Sequence, residues 1–345
     1  MSEFYKLAVK KINKETPESV SIEFDIPAEL QNKFDYKAGQ YLTLKTSIKG
    51  EEIRRAYSIW TSPEENKVAV LVKQIQNGLF STYANESLKE NDYIEVMAPE
   101  GTFLNNGGAS VYFAAGSGIT PVFSMLKEQI SNNQEVSLFY VNRSPQSTAF
   151  LKELIPLSEQ HENFKLNLFY TRDKNVEPIY QGRLNKNKCS DLVKLNVLNF
   201  DADGYYLCGP EEMILDLKEF LASNGVSDSK IHFELFTASL PSDEQIDSLD
   251  LSESKVKMII DDDEFDFTYD ASSKLSLLEA AEEEGLDVPF SCKGGVCCTC
   301  KAKILEGNGT MTVNYALTDE EVEEGYVLTC QTYPKTQSIT VSFDE

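Results

Sequence analysis

The chain has 345 residues, of which 41% are hydrophobic and 26% charged, so it can bury the cores of two to three domains. Its 56 acidic residues exceed its 32 lysines and arginines, and a net charge of -24 argues against binding to nucleic acid or to an anionic membrane. No apolar run approaches the roughly 18 residues of a membrane helix, and residues 1–6 do not open a secretory signal, so we expect a cytoplasmic protein.

The first hundred residues have the pattern of a β domain. Short segments rich in β-branched and aromatic residues alternate with Gly, Pro and Asn, which is typical of antiparallel strands. The predicted strands are 4–12, 19–26, 41–46, 54–60, 67–75 and 93–97. Their regular spacing predicts a small antiparallel barrel or sandwich, which we assign to residues 1–105.

Two short motifs in this domain carry groups that suit a phosphate and a flat ring. In the segment Arg55–Ser58 (RAYS), the arginine offers a charge-assisted fork, the tyrosine a ring and the serine a hydroxyl. Further along, the segment 78–82 (GLFST) adds a glycine that frees backbone N–H groups, together with two hydroxyls. Taken alone, the first motif is better explained as an ordinary barrel strand with an exposed arginine.

After residue 105 the pattern changes to alternating strands and helices. The predicted strands are 111–115, 136–141, 164–171, 205–208 and 231–236, and the predicted helices are 121–130, 148–160 and 210–223. Repeated strand–helix units predict a parallel sheet, which we assign to residues 106–236.

The first strand of this domain runs into a glycine-rich turn, Gly116–Pro121 (GSGITP). The glycines permit a tight turn and a close approach of the backbone to a pyrophosphate. Thr120 is expected to cap a helix that begins at Pro121, so that the phosphates meet a helix N-terminus. The alternative is a strand–helix turn that needs glycine only for its geometry.

Three further positions bear on a nucleotide site. Cys208–Pro210 (CGP) closes a predicted strand and opens a helix, although a small buried residue at a strand end explains Cys208 as well. Arg143 and Arg172 follow the second and third strands of the domain. An arginine beside the adenosine ribose suits a 2′-phosphate, so this pair favours NADPH over NADH, unless both are solvated surface residues.

An acidic module completes the chain. Residues 237–253 contain five acidic and no basic residues and are interpreted as a linker. Residues 254–345 carry 19 acidic and 7 basic residues, which is half of the net negative charge. We predict a hairpin of 256–260 with 264–269, a helix at 275–284, and strands at 301–305 and 338–343. The charge suggests a separate surface for a partner, with solubility alone as the alternative.

Four cysteines of this module have the spacing of an iron–sulfur site. Cys292-x4-Cys297-x2-Cys300, followed by the distant Cys330, matches the plant-type C-x4-C-x2-C…C pattern that holds a [2Fe-2S] cluster. A zinc site is the alternative, but it more often shows two C-x2-C pairs. With only two histidines in the chain, the composition argues strongly against a Rieske-type cluster.

The same loop contains residues that this spacing does not use. Gly294 and Gly295 are expected to let the backbone pass close to the cluster sulfides. Cys298 does not fit the four-ligand spacing and is predicted to be a free thiol, with ligand exchange with Cys297 or Cys300 as the alternative. Cys189 has no partner nearby and is predicted to be a buried or incidental cysteine.

The loop Ser291–Cys300 (SCKGGVCCTC) resembles that of plant-type ferredoxin domains. In chain order, the motifs R-x-Y-S, G-x-x-S, G-x-G-x-x-P and C-G-P resemble those of the ferredoxin-reductase superfamily. Over nearly its whole length the chain is similar to oxygenase reductases that end in a ferredoxin domain, among them the reductase subunits of phenylacetyl-CoA epoxidases. This resemblance implies a flavin-binding antiparallel β-barrel, an NAD(P)-binding α/β domain with a parallel sheet, and an α+β β-grasp ferredoxin domain.

The resemblance also implies residue roles. Tyr57 would stack on the isoalloxazine ring, Ser58 would lie near its N5, Cys208 would face the nicotinamide, and Glu234 would handle a proton or line the flavin edge. The other implied cofactor contacts hold the flavin pyrophosphate, run beside the flavin or line the nucleotide turns. They are Arg55, Val72, Lys73, Gly78, Ser81, Thr82, Gly116, Gly118, Thr120, Pro121, Arg143, Arg172, Gly209 and Pro210.

The implied activity is electron transfer from NAD(P)H to a flavin, from the flavin to the [2Fe-2S] cluster, and from the cluster to an oxygenase. We expect FAD rather than the FMN of phthalate-dioxygenase-type reductases, because two separated phosphate-binding elements suit a dinucleotide. The first expected acceptor is the phenylacetyl-CoA epoxidase, which would dock on the acidic ferredoxin domain through a basic patch of its own. Alternatives are a Rieske dioxygenase, desaturase or hydroxylase as acceptor, a redox-sensing cluster protein, and a stand-alone diaphorase.

Overall fold

Six antiparallel strands form the first sheet of the protein. The computed structural model describes residues 3–236 and 241–345. The strands are β1 (Phe4–Thr16), β2 (Ser19–Asp25), β3 (Tyr41–Ile48), β4 (Glu51–Ser58), β5 (Val68–Lys73) and β6 (Tyr93–Met97). They are ordered β4-β3-β6-β1-β2-β5. A bridge between Ile59, just after β4, and Val70 of β5 joins the two edges, so the sheet closes as a barrel.

The barrel differs most clearly from the predicted elements at β1 and at the segment after β5. Strand β1 continues to Thr16 rather than residue 12, because residues 13–16 pair with β2 beyond the apolar pattern that marks the core. A helix that was not predicted, α1 (Leu79–Glu86), covers one end of the barrel. Its Phe80 and Ala84 are buried in the barrel core, which explains why a short polar segment folds as a helix here.

The next domain is a parallel sheet flanked by helices. Its elements are β7 (Ser110–Ala115), α2 (Ile119–Ser131), β8 (Val136–Asn142), α3 (Leu151–Gln160), β9 (Phe164–Tyr170), α4 (Lys186–Lys194), β10 (Gly204–Cys208), α5 (Glu211–Ser223) and β11 (Ile231–Glu234). All five predicted strands are present, in the order β11-β10-β7-β8-β9. The order reverses between β7 and β10, so ligands are expected beyond the carboxyl ends of these two strands.

The start of α2 differs from the prediction. A 3-10 turn at Gly116–Gly118 leads directly into the helix, so Gly118 is the N-cap and Thr120 already lies inside the first turn. The Thr120 hydroxyl donates to the Ser117 carbonyl at 2.9 Å instead of capping the helix. Pro121 is the third helical residue, a position where its missing N–H costs no intrahelical bond.

An aromatic cluster joins the barrel to the parallel sheet. The Trp60 ring lies 4.7 Å from the Phe150 ring and 6.0 Å from the Phe123 ring, between centroids. The Lys127 ammonium sits 4.6 Å above the Trp60 ring and pairs with Glu65 of the barrel. These contacts make Phe4–Phe236 a single unit, and they fix the ends of the barrel strands beside the β7–α2 turn.

The C-terminal unit has a mixed sheet and a short packed helix. Its elements are α6 (Asp243–Asp247), β12 (Ser254–Ile260), β13 (Asp263–Tyr269), α7 (Leu277–Glu283), β14 (Lys301–Glu306), β15 (Gly309–Met311), α8 (Asp319–Glu323), β16 (Tyr326–Leu328), β17 (Thr332–Pro334) and β18 (Ser338–Ser342). The main sheet is ordered β13-β12-β18-β14-β16, with β12 and β18 parallel. The α7 residues Leu277, Leu278 and Ala281 pack into its core, as expected for the β-grasp arrangement.

The predicted hairpin is present in this unit. Asp261 and Asp262 form its turn, and both have positive φ. Asp344 stabilises the turn, because its carboxylate accepts from both backbone N–H groups at 2.8 and 2.9 Å. The hairpin thereby pairs the first two strands of the unit and is tied to the end of the chain.

Residues 241–253 of the predicted linker contain a short helix and contact the C-terminal unit. Residues 237–240 lie outside the described residues. From 241 onward, α6 begins at a Ser242 capping box, and Ile246 is buried. The Ser252 hydroxyl donates to the Lys335 carbonyl at 3.1 Å, so this segment is attached to the C-terminal unit.

None of the helices in the described parts of the chain has both the length and the apolar character needed to cross a membrane.

Candidate functional site

The R-x-Y-S motif lies on β4, at the side of the barrel that faces the parallel sheet. Tyr57 is half-buried, its ring centroid lies 5.4 Å from that of Phe80, and burial raises its pKa. Ser58 is buried beside it. Arg55 is exposed, and its Nη1 donates to the Arg54 carbonyl at 2.7 Å. A ring, a buried hydroxyl and an exposed guanidinium therefore follow one another along this strand.

The second phosphate motif is a tight turn that leads into α1. A Cβ on Gly78 would lie 2.4 Å from Ser81 Oγ and 2.5 Å from Ile75 Cγ1, so any side chain there would displace both neighbouring side chains. The Ser81 hydroxyl accepts from the Ile75 N–H at 3.2 Å and donates to the Gly78 carbonyl at 3.3 Å. Ser81 closes the turn, and the Thr82 N–H donates to the Gly78 carbonyl at 3.0 Å. The donors that a phosphate could use are therefore the N–H groups that precede Thr82 in α1 and the Thr82 hydroxyl.

Residues at the end of β5 connect the two domains. The Val72 carbonyl accepts from the Asn85 amide at 3.0 Å, which anchors α1 to the strand. The Lys73 side chain extends toward the parallel sheet, because a Cβ placed on Gly116 would lie 3.6 Å from Lys73 Nζ. Burial lowers the pKa of Lys73, and the nearby charge of Arg143 lowers it further. The lysine side chain thus faces the glycine turn of the parallel sheet.

The two glycine-containing turns of the parallel sheet pack directly on each other. Gly116 has φ +56, a conformation that favours glycine, and its carbonyl accepts from the Tyr140 hydroxyl at 3.0 Å. A Cβ on Gly118 would come within 2.1 Å of the Cys208 carbonyl oxygen and 2.9 Å of the Gly209 nitrogen. Only glycine at 118 lets the β7–α2 turn approach the β10–α5 turn, where Pro210 caps α5.

A carboxyl and a thiol lie next to Ser58 at the point where β10 and β11 end. Cys208 and Glu234 are partners in the β10–β11 register, and the Ser58 hydroxyl donates to the Glu234 carboxylate at 3.4 Å. Part of the Glu234 residue is exposed, but its carboxylate lies inside the protein, and this burial raises its pKa to about 8. Burial, reinforced by the charge of Glu234, keeps the pKa of Cys208 well above its ordinary value. At neutral pH both groups are therefore protonated.

The two arginines predicted for the nucleotide end are neighbours in the structure. The Arg172 N–H donates to the Arg143 carbonyl at 2.9 Å, just beyond the carboxyl ends of β8 and β9. Arg143 also pairs with Glu18 of the barrel, with 3.3 Å between Nη1 and each carboxylate oxygen. Sequence analysis did not identify Glu18, because it belongs to no motif and lies in the turn between β1 and β2, far from Arg143 in the chain.

The four predicted cluster cysteines meet in the C-terminal unit. The Sγ atoms of Cys292 and Cys297 are 3.1 Å apart, and the Gly294 N–H donates to Cys292 Sγ at 3.3 Å. The Cys330 thiol contacts those of Cys292 and Cys300. The thiols contact one another directly. Within the described ranges, no group of three or more His, Cys, Asp or Glu side chains is spaced to hold a single metal ion. Four converging sulfurs with a backbone N–H donor are the donor set that a [2Fe-2S] cluster uses, so these residues fit that group.

The two glycines of the loop that carries three of these cysteines differ in their surroundings. Gly295 has φ +70, and a Cβ there would lie 3.0 Å from Gln331 Cγ and 3.1 Å from the Val313 carbonyl oxygen. At Gly294 a Cβ would meet only the Cys292 carbonyl oxygen, at 3.8 Å, so Gly295 is the more crowded of the two, and the close approach of both glycines to the cluster sulfides stays a prediction. Gln331, which sequence reasoning missed, is buried, and its side-chain amide donates to the Lys293 carbonyl at 3.1 Å.

The remaining cysteines are placed apart from this set. The Cys298 thiol donates to the Ala316 carbonyl at 3.5 Å. Cys189 is fully buried on α4, and burial raises its pKa to about 12, so it is an inert core residue.

Three family models match the chain in succession. An oxidoreductase FAD-binding domain matches residues 6–104, an oxidoreductase NAD-binding domain matches residues 113–219, and a 2Fe-2S iron-sulfur cluster binding domain matches residues 260–335. The three models thus follow the barrel, the parallel sheet and the C-terminal unit.

Similar curated proteins are components of oxygenase systems. The chain is 35% identical to one of the subunits of 1,2-phenylacetyl-CoA epoxidase from Escherichia coli (strain K12), over 100% of this chain and 99% of that protein. It is 29% identical to the ferredoxin reductase component of 3-ketosteroid-9-alpha-monooxygenase from Rhodococcus rhodochrous, covering 98% and 96%. It is 30% identical to the glycine betaine monooxygenase reductase subunit of Pseudomonas aeruginosa, covering 88% and 86%.

Solved structures share the fold. Phthalate dioxygenase reductase superposes with a TM-score of 0.60 at 23% identity, over 99% of this chain and 98% of that one. An intact type IV self-sufficient cytochrome P450 monooxygenase gives a TM-score of 0.75 at 21% identity over 98% of this chain, which spans 41% of that longer protein.

Proposed function

The chain belongs to the family of oxygenase reductases that combine FAD-binding, NAD-binding and 2Fe-2S domains, and from this premise we propose that it supplies NADPH-derived electrons to a phenylacetyl-CoA epoxidase. The observation that carries the acceptor is the 35% identity, over the full length of both chains, to a subunit of that epoxidase. The other reductases named above serve different oxygenases, so the acceptor is the part of the proposal that needs its own test.

When bound, FAD would accept a hydride from the nicotinamide and release electrons singly to the [2Fe-2S] cluster. The ring of Tyr57 supports a flat cofactor on the barrel side, and the exposed Arg55 is placed to hold a phosphate. The start of α1, with Gly78, Ser81 and Thr82, is a second element for phosphate. Two elements on one barrel favour FAD over FMN, as does the match to an FAD-binding domain.

Ser58, Cys208 and Glu234 are the catalytic residues of this proposal. Glu234 is protonated at neutral pH, because burial raises its pKa to about 8, and it holds the Ser58 hydroxyl in a fixed direction. The buried Cys208 thiol stays neutral and presents a small, uncharged surface to the nicotinamide. Together these groups keep negative charge away from the point where a hydride would pass, and they offer a proton beside Ser58.

The nucleotide would be held beyond the carboxyl ends of β7 and β10. The turns at Gly116–Gly118 and Cys208–Pro210 approach closely enough to form one floor. Lys73 from the barrel faces this floor and suits a pyrophosphate. Arg143 and Arg172, side by side past β8 and β9, suit the 2′-phosphate of NADPH, which is the basis for preferring it to NADH.

The cluster would be held by Cys292, Cys297, Cys300 and Cys330, with backbone N–H groups of the loop donating to the sulfurs. The acidic character of residues 254–345 favours a partner with a basic docking patch.

Anaerobic titration of the purified protein tests the proposal. NADPH should bleach the flavin absorbance and then produce a reduced-cluster signal in electron paramagnetic resonance, more efficiently than NADH. Addition of phenylacetyl-CoA and its oxygenase component should then make NADPH consumption depend on the substrate. Flavin reduction without that dependence would reject the acceptor and keep the reductase.

A further inference from the structure

An ion pair between Glu18 and Arg143 spans the two domains of the first unit. Glu18 lies in the turn between β1 and β2, and Arg143 directly follows β8. Both carboxylate oxygens of Glu18 are 3.3 Å from Arg143 Nη1. The pair therefore ties the barrel to the end of the parallel sheet where the nucleotide is proposed to bind.

The position of Glu18 is set by the barrel rather than by the arginine. Its N–H donates to the Thr16 hydroxyl at 3.2 Å, and its carbonyl accepts from the Gln74 N–H at 2.7 Å. The Thr16 and Ser19 hydroxyls are 2.6 Å apart beneath the turn. A fixed backbone means that the carboxylate stays near Arg143 and that changing the side chain alone should leave the hairpin intact.

The cationic side chains around this pair are the ones proposed to bind the phosphates of the nucleotide. Lys73 lies close enough to interact with both residues of the pair. Burial is the main cause of its lowered pKa, the charge of Arg143 lowers that pKa further, and the charge of Glu18 raises it. Arg172 is joined to Arg143 through the backbone. An anionic ligand attracted to these cations therefore meets the Glu18 carboxylate in the same place.

We propose that Glu18 determines how strongly the site distinguishes nucleotides with a 2′-phosphate from those without one, because it occupies Arg143 until a phosphate displaces it. This inference rests on the proposed function and deepens it. Both contacts use a single guanidinium nitrogen, so the pair lacks the two-nitrogen fork of strong arginine–carboxylate pairs. The two side chains are 50% and 49% exposed, and such pairs are weak enough for a dianionic phosphate to replace them.

The consequence is asymmetric. A ligand with a 2′-phosphate must break the Glu18–Arg143 pair and so binds less tightly than the arginine alone would allow. A ligand without that phosphate leaves the pair in place. Removal of the Glu18 charge should therefore strengthen binding of the first ligand and change the second little.

Calorimetric titration of the full-length, flavin-loaded protein with adenosine 2′,5′-bisphosphate and with 5′-AMP tests this without any redox step. In Glu18→Gln, adenosine 2′,5′-bisphosphate should bind about 1.5- to 5-fold more tightly, the range expected for loss of an exposed ion pair, with a smaller change for 5′-AMP. Glu23→Gln is the matched control, because it breaks the Lys10–Glu23 pair of 2.8 Å elsewhere on the barrel and should change neither affinity.

The Arg143→Gln background makes the test specific. Glu18→Gln should have no effect there, since its partner is already gone. Equal gains with and without Arg143, an unchanged affinity in Glu18→Gln, or weaker binding of 5′-AMP would each overturn the inference. If the wild-type protein binds both ligands equally and Glu18→Gln does not improve the bisphosphate, the NADPH preference falls together with the inference. A wild-type preference that Glu18→Gln leaves unchanged rejects the inference alone.

Discussion

The Ser58 hydroxyl donates to the Glu234 carboxylate at 3.4 Å, although 176 positions separate the two residues in the chain. Ser58 ends a barrel strand and Glu234 ends the edge strand of the parallel sheet. The bond exists because the Trp60–Phe150 contact and its neighbours fix the two domains against each other. A flavin edge on the barrel and a nicotinamide on the sheet would meet at this point.

Loss of either partner of this bond should slow flavin reduction. Ser58→Ala and Glu234→Gln are each expected to lower the stopped-flow rate of reduction by NADPH about 10- to 100-fold, which is at the lower end of the effect of a positioned proton-handling group. Thr43→Val is a matched control: it also removes a buried hydroxyl from the barrel, but one without a hydrogen-bond partner. A wild-type rate in both site variants would contradict the assigned roles.

The raised pKa of Glu234 predicts a pH-dependent stability. An unfolded glutamate titrates near 4.5, while burial raises the folded pKa to about 8. Between these values the folded state holds a proton that the unfolded state has lost, so the contribution is complete below pH 4.5 and is lost as the pH rises through 8. Above pH 8 the ionised, buried carboxylate costs about 5 kcal/mol, so at pH 8.5 Glu234→Gln should raise the Tm of the first unit by about 10 °C, and the gain should vanish near pH 4.5. Calorimetric scans at both pH values decide it, and an equal shift at the two would rule out titration of Glu234 as the cause.

Gly118→Ala should damage the nucleotide site by a steric clash. Its new methyl would lie 2.1 Å from the Cys208 carbonyl oxygen, so the two turns must separate. We expect a loss of about 1–3 kcal/mol in unfolding free energy and a weakened affinity for NADPH. At Gly182 the same change meets no atom within 4 Å, but φ +95 strains an alanine there. Gly182→Ala should therefore also lose stability and yet keep the nucleotide affinity. Denaturant titration and NADPH binding measure the two effects, and normal NADPH binding by Gly118→Ala would count against the packed turns as its floor.

Lys73→Met should affect binding more than turnover. The methionine can replace the aliphatic stem, but the charge that faces Gly116 is lost. The KM for NADPH should rise about tenfold, as for the loss of one charge-assisted hydrogen bond, with a small change in kcat. Lys11→Met, an exposed lysine of β1, serves as the control. A fall in kcat with an unchanged KM would argue that Lys73 orients the flavin instead.

Cys330→Ser should separate the two electron carriers. Without its fourth thiolate the cluster should be lost, so NADPH-driven cytochrome c reduction should drop sharply while ferricyanide reduction by the flavin persists. Cys298→Ser is the control, because it removes a thiol of the same loop that donates to the Ala316 carbonyl and is outside the four-ligand spacing. This variant should retain iron and both activities. Iron content, visible absorbance and the two assays check this; full cytochrome c reduction by Cys330→Ser would show that the cluster is not on the electron path.

Much of the architecture was readable from local pattern. The predicted ends of strands β6 and β7–β10 agree with the observed ends to within one residue. Buried strands consist of short apolar runs, and such runs can be recognised in the sequence. Elements outside that pattern were missed. Helix α1 forms because Phe80 and Ala84 enter the barrel core, and the polar residues 13–16 extend β1 only because a partner strand is present.

Residues that are close in the chain establish the chemistry: the cysteine spacing, the glycine turns and the order of the motifs can all be recognised before folding is considered. Folding establishes which distant groups meet. Ser58 reaches Glu234, Lys73 faces Gly116 and Glu18 pairs with Arg143 because the barrel packs on the parallel sheet through Trp60, Phe123 and Phe150. Local patterns do not carry this information, since packing between domains depends on complementary surfaces from separate parts of the chain. The raised pKa of Glu234 has the same origin, because desolvation exists only once the fold surrounds the carboxylate.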